Sequence, residues 1–124
     1  MADWQSDELK RIGGAEEVKI EVLGRDAKMR SPVTIWLVRV DDHLYVRSVR
    51  GSRGAWFRAV QETHQGRISA GGLEKDVSFE DGEPSLNDQV DAAYRVKYRR
   101  YAGRILDSCL TPAARSTTLR VVPR

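Results

Sequence analysis

Two β-rich runs meet across two acidic residues near the middle of this 124-residue chain: Val33-Thr34-Ile35-Trp36-Leu37-Val38-Arg39-Val40, then Asp41-Asp42, then His43-Leu44-Tyr45-Val46-Arg47-Ser48. β-branched and aromatic side chains on both sides of so short a turn predict an antiparallel hairpin of two consecutive strands. Parallel neighbours need a crossover of about a dozen residues or more, so a doubly wound βαβ fold is disfavoured. Val33 to Val38 is apolar on both faces, the pattern of a central strand covered on both sides.

The remaining segments follow from their periodicity. Asp3 to Ile12 predicts a short helix with Trp4, Leu9 and Ile12 on one side and Gly13-Gly14 as its stop. Val18, Ile20 and Val22 alternate with Lys19 and Glu21, as in a strand with one wet face, and Gly24-Arg25-Asp26 turns it. Gly51-Ser52-Arg53-Gly54 breaks the strand, and Ala55 to His64 predicts a second short helix, ended by Gly66. Two further strands are expected at Ile68 to Ala70 and Val77 to Phe79. Ser85 is the expected cap of a long helix over 85–110, with Val90, Ala93, Tyr94, Lys97, Tyr101, Ile105 and Cys109 at helical spacing. Thr111-Pro112 stops it, and a closing strand is expected over 116–122.

The expected architecture is therefore mainly β with helices (α+β). Residues 1–13 form an N-terminal helix, 17–82 the strands with one short helix, 85–110 the long helix and 116–122 the last strand. Six short, mostly antiparallel strands with two or three packing helices are enough to curl into a partly open barrel, which removes the exposed edges of a flat sheet. At this length a single domain buries a core without disulfide or metal staples.

Composition narrows the function classes. Hydrophobic residues are 40% and charged residues 31%, values that argue against a disordered tail or a fibrous repeat. The single cysteine, Cys109, excludes an intrachain disulfide framework or a multi-cysteine metal site and fits a reducing compartment. The acidic, polar start (Met1 to Glu8) lacks the pattern of a signal peptide, so a cytoplasmic location is expected, and no apolar stretch approaches the ~20 residues of a membrane span. His43 and His64 have no partner at metal-ligand spacing, and no nucleophile elbow, dinucleotide fingerprint or nucleotide-triphosphate loop occurs, so no metal site and no triad are expected.

Net charge is +3, but it is unevenly laid out. Residues 1–30 carry 6 bases and 7 acids, 31–70 carry 6 and 3, 71–93 carry 1 and 7, and 94–124 carry 8 and 1. Alternating blocks point to a local anion site at least as well as to a nucleic-acid surface, which the acidic block would oppose. Sixteen of the 21 bases are arginines, whose fork suits phosphate and carboxylate; a codon bias toward arginine gives the same count.

The strings Pro32 to Val40, Leu44-Tyr45-Val46-Arg47-Ser48 with Arg50-Gly51, Trp56-Phe57-Arg58, and Asp91-Ala92-Ala93-Tyr94-Arg95-Val96-Lys97-Tyr98 resemble those of a family of short bacterial proteins of unknown function. That family is grouped with the flavin-binding split β-barrels, which include the pyridoxamine-phosphate oxidases and the deazaflavin-dependent nitroreductases. The resemblance implies a split barrel, often a homodimer. In the active relatives it implies a flavin-type cofactor, FMN or F420, held between the barrel and the partner subunit.

Two groups of residues are candidate binding sites. Arg47-Ser48-Val49-Arg50-Gly51-Ser52-Arg53-Gly54 leaves a strand and enters a helix N-terminus, where free N–H groups, hydroxyls, guanidinium groups and glycines can hold a phosphate. The competing reading is that Gly51 and Gly54 only shape a turn while the arginines are solvated or pair with the acidic block from Glu74 to Asp91. The second group is Tyr94, Lys97, Tyr98 and Tyr101, three and four residues apart, with Lys97 able to meet a phosphate or the flavin carbonyl edge. Its alternative is that the tyrosines pack on the barrel and Lys97 snorkels to water. Trp36 and Trp56 read as core side chains, although Trp56 joins the candidate set with Arg47, Ser48, Arg50, Gly51, Ser52, Arg53, Lys97 and Tyr98.

Three functions are compatible with these features. The first is a flavin- or deazaflavin-binding oxidoreductase, whose chemistry needs no triad because the cofactor carries it. The second is a cofactor-free binding domain for a phosphorylated or anionic ligand or an acidic protein partner. Nucleic-acid binding through Arg95 to Arg104 ranks last.

Overall fold

A computed structural model describes residues 3–124; Met1 and Ala2, part of the expected N-terminal helical segment, lie outside the described residues. Among the described residues are seven strands: β1 (Val18–Val22), β2 (Val33–Ile35), β3 (Leu37–Val40), β4 (His43–Val46), β5 (Gln65–Ala70), β6 (Leu73–Asp81) and β7 (Leu119–Pro123). Five helices accompany them: α1 (Ser6–Gly13), α2 (Ala55–Thr63), α3 (Asn87–Lys97), α4 (Arg104–Asp107) and α5 (Pro112–Arg115). Among the described residues no helix is long and apolar enough to cross a membrane.

The strands form one antiparallel sheet in the order β2-β1-β5-β6-β7-β4-β3, curled into a nearly closed barrel. The expected hairpin is β3–β4, with Leu37 opposite Val46 and Val40 opposite His43. Its Asp41 takes φ 53°, the left-handed conformation that tight hairpin turns demand and that Asp tolerates.

The single strand expected from Val33 to Val40 is two strands, and they lie at opposite edges of the sheet. The chain bends at Trp36, leaving β1 and joining β4, so one residue links the two ends of the strand order. The cause lies in α3 and its C-cap residue, Tyr98. Tyr94 Oη donates to the Trp36 carbonyl at 3.3 Å, Leu37 N–H donates to Tyr98 Oη at 3.3 Å, and Lys97 Nζ donates to the Leu37 carbonyl at 2.5 Å. Backbone groups that would continue a ladder are satisfied by side chains instead, which permits the corner. Two-faced burial holds for the second half only: Leu37 points into the barrel and Val38 packs outward under α3, whereas Val33 is 39% exposed.

The barrel interior is filled from alternate strand positions, among them Val18, Ile20, Val22, Ile68, Val77 and Phe79. Phe57 and Val60 of α2, and Trp4, Leu9 and Ile12 at the N-terminal side, belong to the same buried cluster. Each fully buried aliphatic or aromatic side chain contributes about 1.5–3 kcal/mol. A second apolar cluster, Val38, Tyr45, Val90, Tyr94, Tyr98, Leu106 and Cys109, attaches α3 and α4 to the outer face of the hairpin.

The long helix expected over 85–110 is broken. Pro84–Leu86 is a 3-10 turn with Leu86, not Ser85, at the N-cap of α3, and α3 ends at Lys97. After a 3-10 turn at Arg99–Tyr101 the chain passes through Gly103 at φ 106° and ψ −144°, a conformation essentially restricted to glycine, before α4 begins. Tyr101, Ile105 and Cys109 therefore do not continue the face that carries Val90 and Tyr94. At the other helix boundary, His64 rather than Gly66 stops α2, at φ 55°; Gly66 lies inside β5, where a Cβ would strike the Glu21 carbonyl oxygen.

Candidate functional site

β4 ends at Val46, and the next two residues turn inward under α3 and α5. Arg47 is 3% exposed, and its guanidinium is fully engaged by the protein. Its Nε donates to Thr118 Oγ1 at 2.9 Å, Nη1 to Asp91 Oδ1 at 2.5 Å and to the Cys109 carbonyl at 2.9 Å, and Nη2 to the Asn87 carbonyl at 3.2 Å and to Asn87 Oδ1 at 3.3 Å. Asp91 also lies 3.2 Å from Arg115 Nε, so one carboxylate is shared between two arginines. Asp91 closes the acidic block of the sequence, and Arg47 pairs with it as the second of the two sequence readings anticipates.

Beyond Arg47 the chain lines a cleft of about 590 Å³. One wall is Val33 to Trp36, from β2 into the corner. The floor is Ser48 to Arg50 with Gly54 to Trp56, and the far wall carries Ile105, Ser108 and Cys109 at α4. The lip is apolar, with Ile105 59% and Val49 53% exposed.

Ser48 is buried, and its backbone is locked by N–H donation to Thr117 Oγ1 at 2.8 Å. Its hydroxyl rests against Gly54, where a Cβ would collide with Ser48 Oγ, and it has no hydrogen-bond partner among the described residues. Gly54 is the N-cap of α2, which has no side-chain cap. The first bond there runs from Arg58 N–H to the Gly54 carbonyl at 3.0 Å, leaving the amides of Ala55, Trp56 and Phe57 without helical acceptors. Arg50 lines the cleft, is exposed, and has no acid within 4.0 Å among the described residues.

The nine candidate residues thus separate. Arg47, Ser48, Arg50 and Trp56 all line the cleft, Arg47 with its guanidinium taken up by protein partners. Gly51 supplies the turn at φ 69° and packs on Ala113, while Ser52 and Arg53 are exposed and do not line the cleft. Lys97 and Tyr98 are not brought to it either; both brace Leu37 at the corner. Burial pulls the Lys97 ammonium down to about 8 and pushes the Tyr98 phenol up.

Tyr94, a member of the second candidate group, lines the cleft, and among the cleft residues outside both groups are Trp36, Glu17, Ile105 and Cys109. Trp36 is only half-buried, stacked on Tyr98 at 3.9 Å between ring centroids and 3° between planes. Burial pushes the Cys109 thiol up, so this cysteine is a packed thiol and not an activated thiolate. The signal for Trp36 is its place beside the unpaired edge of β2; the other three converge only through the fold.

Comparison with solved structures establishes the fold as a split barrel. The chain is similar to an F420-H2 dependent reductase, with 16% identity, 86% of this chain and 93% of that chain covered, and a TM-score of 0.63. It is also similar to a FAD-binding protein from Mesorhizobium loti, with 15% identity, 90% and 82% coverage, and a TM-score of 0.62. The corresponding values for a putative pyridoxamine 5'-phosphate oxidase from Listeria innocua are 9% identity, 88% and 82% coverage, and a TM-score of 0.57. Among curated proteins nothing matches this chain. A family model described as an uncharacterized protein conserved in bacteria (DUF2255) matches residues 8–121, and the chain belongs to that family.

Proposed function

We propose that this protein is a flavin- or deazaflavin-binding oxidoreductase of the split-barrel type, taking FMN or F420 in the cleft beside β2. The observation that carries this reading is the donor set on the cleft floor. The Ser48 hydroxyl, which has no hydrogen-bond partner among the described residues, lies at the cleft against the uncapped N-terminus of α2, with the unpaired Arg50 at the same margin. Free amides, a hydroxyl and a guanidinium are what a phosphate group requires. The residues present fit such a group: the cleft lies within the ~300–1,000 Å³ typical of small-molecule sites, and Trp56, Trp36 and the side chains of β2 give it an apolar wall suited to a planar ring.

In this reading Ser48, Arg50 and the first amides of α2 hold the phosphate, and Trp56 and Ile35 shield the ring from water. Arg47 fixes the floor. When bound, the ring supplies the redox chemistry, and the chain needs no acid–base pair of its own. The resemblance to split-barrel flavoproteins and the apolar lip of Val33, Val49 and Ile105 support a homodimer in which the partner subunit covers the cleft. A cytoplasmic location belongs to the same proposal.

Titration of the purified protein with FMN and with F420, followed by ring fluorescence, tests the assignment. Saturation by at least one of them below about 50 µM is expected, and Arg50→Glu should weaken it about tenfold by placing like charge beside the phosphate. Saturation by neither cofactor overturns the reading.

One observation favours a second reading, a cofactor-free domain for a phosphorylated or anionic ligand or an acidic protein partner. With Arg47 engaged internally, Arg50 is the one cleft-lining cation free of protein partners among the described residues. A colourless protein that binds inorganic phosphate in an Arg50-dependent way, and neither ring, would support it.

A further inference from the structure

Behind the Trp36 corner lies a second cavity of about 350 Å³, lined by Glu16, Glu17, Trp36, Tyr101 and Ile105. It adjoins the cleft, since Glu17, Trp36 and Ile105 line both. Its walls differ in character from the cleft floor: two aromatic rings, one aliphatic side chain, two carboxylates and no cation.

The two carboxylates are not equivalent. Glu16 accepts from Tyr101 Oη and from Arg100, so its charge is balanced within the protein, and those bonds hold its carboxyl below the usual carboxylate range. Glu17 is exposed and has no basic group within 4.0 Å among the described residues. The cavity therefore retains one uncompensated negative charge. Trp36 presents an aromatic surface already held in place by Tyr98 stacked on it, and the Tyr101 ring stands 5.2 Å away at 44°. The Arg100 guanidinium already lies 5.3 Å from the Tyr101 ring centroid, so the Trp36 face turned away from Tyr98 is the aromatic surface offered here; such a face beside a free carboxylate recognises a positively charged organic group, through the negative ring face and the carboxylate together. A divalent metal is a poor match, because it requires several converging oxygen ligands and one of the two carboxylates here is already engaged by Tyr101 and Arg100.

We infer that the cavity between Trp36, Tyr101 and Glu17 is a binding site for an organic cation, an alkylammonium or similar nitrogen cation, adjoining the main cleft. The inference does not depend on the cofactor assignment; a cation there would be the neighbour of whatever occupies the cleft, at its negatively charged end, while Arg50 marks the positive one.

Choline and its neutral isostere 3,3-dimethylbutan-1-ol are the probes, and the indole N–H signals of the three tryptophans in a 15N-labelled sample are the readout. Trp4 is an internal control, because its Nε1 is bonded to the Val121 carbonyl at 2.9 Å in the core. Choline should shift the Trp36 signal saturably and bind about tenfold more tightly than the isostere. Glu17→Gln should weaken choline about fivefold while the Trp4 and Trp56 signals stay in place. Equal affinity for the two probes, no saturable shift at Trp36, or an unchanged choline affinity in Glu17→Gln overturns the inference. Cofactor titration reads the ring and not these signals, so either assignment can fail while the other stands.

Discussion

At the scale of single residues, Arg47 differs most from its local sequence context. Ser48, Arg50 and the glycines after it make it look like an anion ligand, but its bonds go to Thr118, Asp91, Cys109 and Asn87, which are 71, 44, 62 and 40 positions away. No local pattern encodes partners so distant, whereas Ser48 and Arg50 line the cleft beside the turn that their sequence position implies. Removing one member of a buried ion pair leaves the other desolvated, so Arg47→Ala should cost roughly 3–5 kcal/mol, nearer the lower figure because Arg115 still faces Asp91. Urea unfolding measures it, and a loss under about 1 kcal/mol would show that the pair is solvated. Lys97 gives a second expectation, in pH. Its ammonium is lowered to about 8 when folded, against 10.5 unfolded, so between those values the unfolded chain binds the extra proton and stability rises with pH. Below about pH 8 both states are protonated and the burial penalty is present in full. The stability of the wild type relative to Lys97→Met should therefore increase by roughly 1–2 kcal/mol from pH 8 to pH 10, reduced from the full shift by the Leu37 carbonyl and the Tyr98 ring, which favour the charged form. A flat difference across that range would place the amine in water.

At the scale of elements, alternation is legible and interruption is not. Val18, Ile20 and Val22 are buried while Lys19 is exposed, as period two requires, and the Asp41-Asp42 turn sets the hairpin register. Two breaks escape the pattern. Trp36 is a good strand residue, and it becomes a corner only because Tyr94, Lys97 and Tyr98 of a segment some 60 positions later take its backbone bonds and those of Leu37. Gly103 falls within a helical repeat of apolar residues, where a single glycine costs only about 1 kcal/mol, so spacing alone carries the helix through it. Its φ of 106° shows what the glycine is for. A Cβ there meets nothing within 4 Å, which separates backbone strain from steric clash. Gly103→Ala should accordingly lose about 1–3 kcal/mol with no change in packing, whereas alanine in a continuous helix would gain. Thermal unfolding with an unchanged near-ultraviolet spectrum tests this, and a stabilised variant would mean that the segment can close into one helix.

For the whole molecule, the Trp36 corner ties architecture to site. Because one residue joins the first and last strands of the sheet order, the three-residue strand β2 is left with one neighbour, β1, and its other side faces the cleft. The mostly antiparallel pairing and the helix after the basic turn could be read from patterning; the strand number could not, because the run expected as one strand from Val33 to Val40 forms two and makes seven strands in place of six. The cleft could not, because it forms where β2, the end of β4 and α4 converge from separate parts of the chain. The same geometry fixes where a ligand must act. Amides of β5, β6 and β7, paired on both sides, open only with much of the barrel, while those of β2 and of the connection from Ser48 to Gly54 open locally at far lower cost. A small ligand in the cleft adds RT ln(1 + [L]/Kd) to every opening that destroys the site, so its effect is largest where openings are otherwise easiest. Hydrogen exchange with and without saturating cofactor should therefore show new protection at 33–36, 48–56 and 105–109, up to about 100-fold at 100 times Kd, and almost none in the β1–β2 loop around Lys28. Protection centred on that loop instead, where Arg25, Lys28 and Arg30 line a different basic hollow, would move the ligand to the far end of β2 and leave the Ser48 cradle without a role.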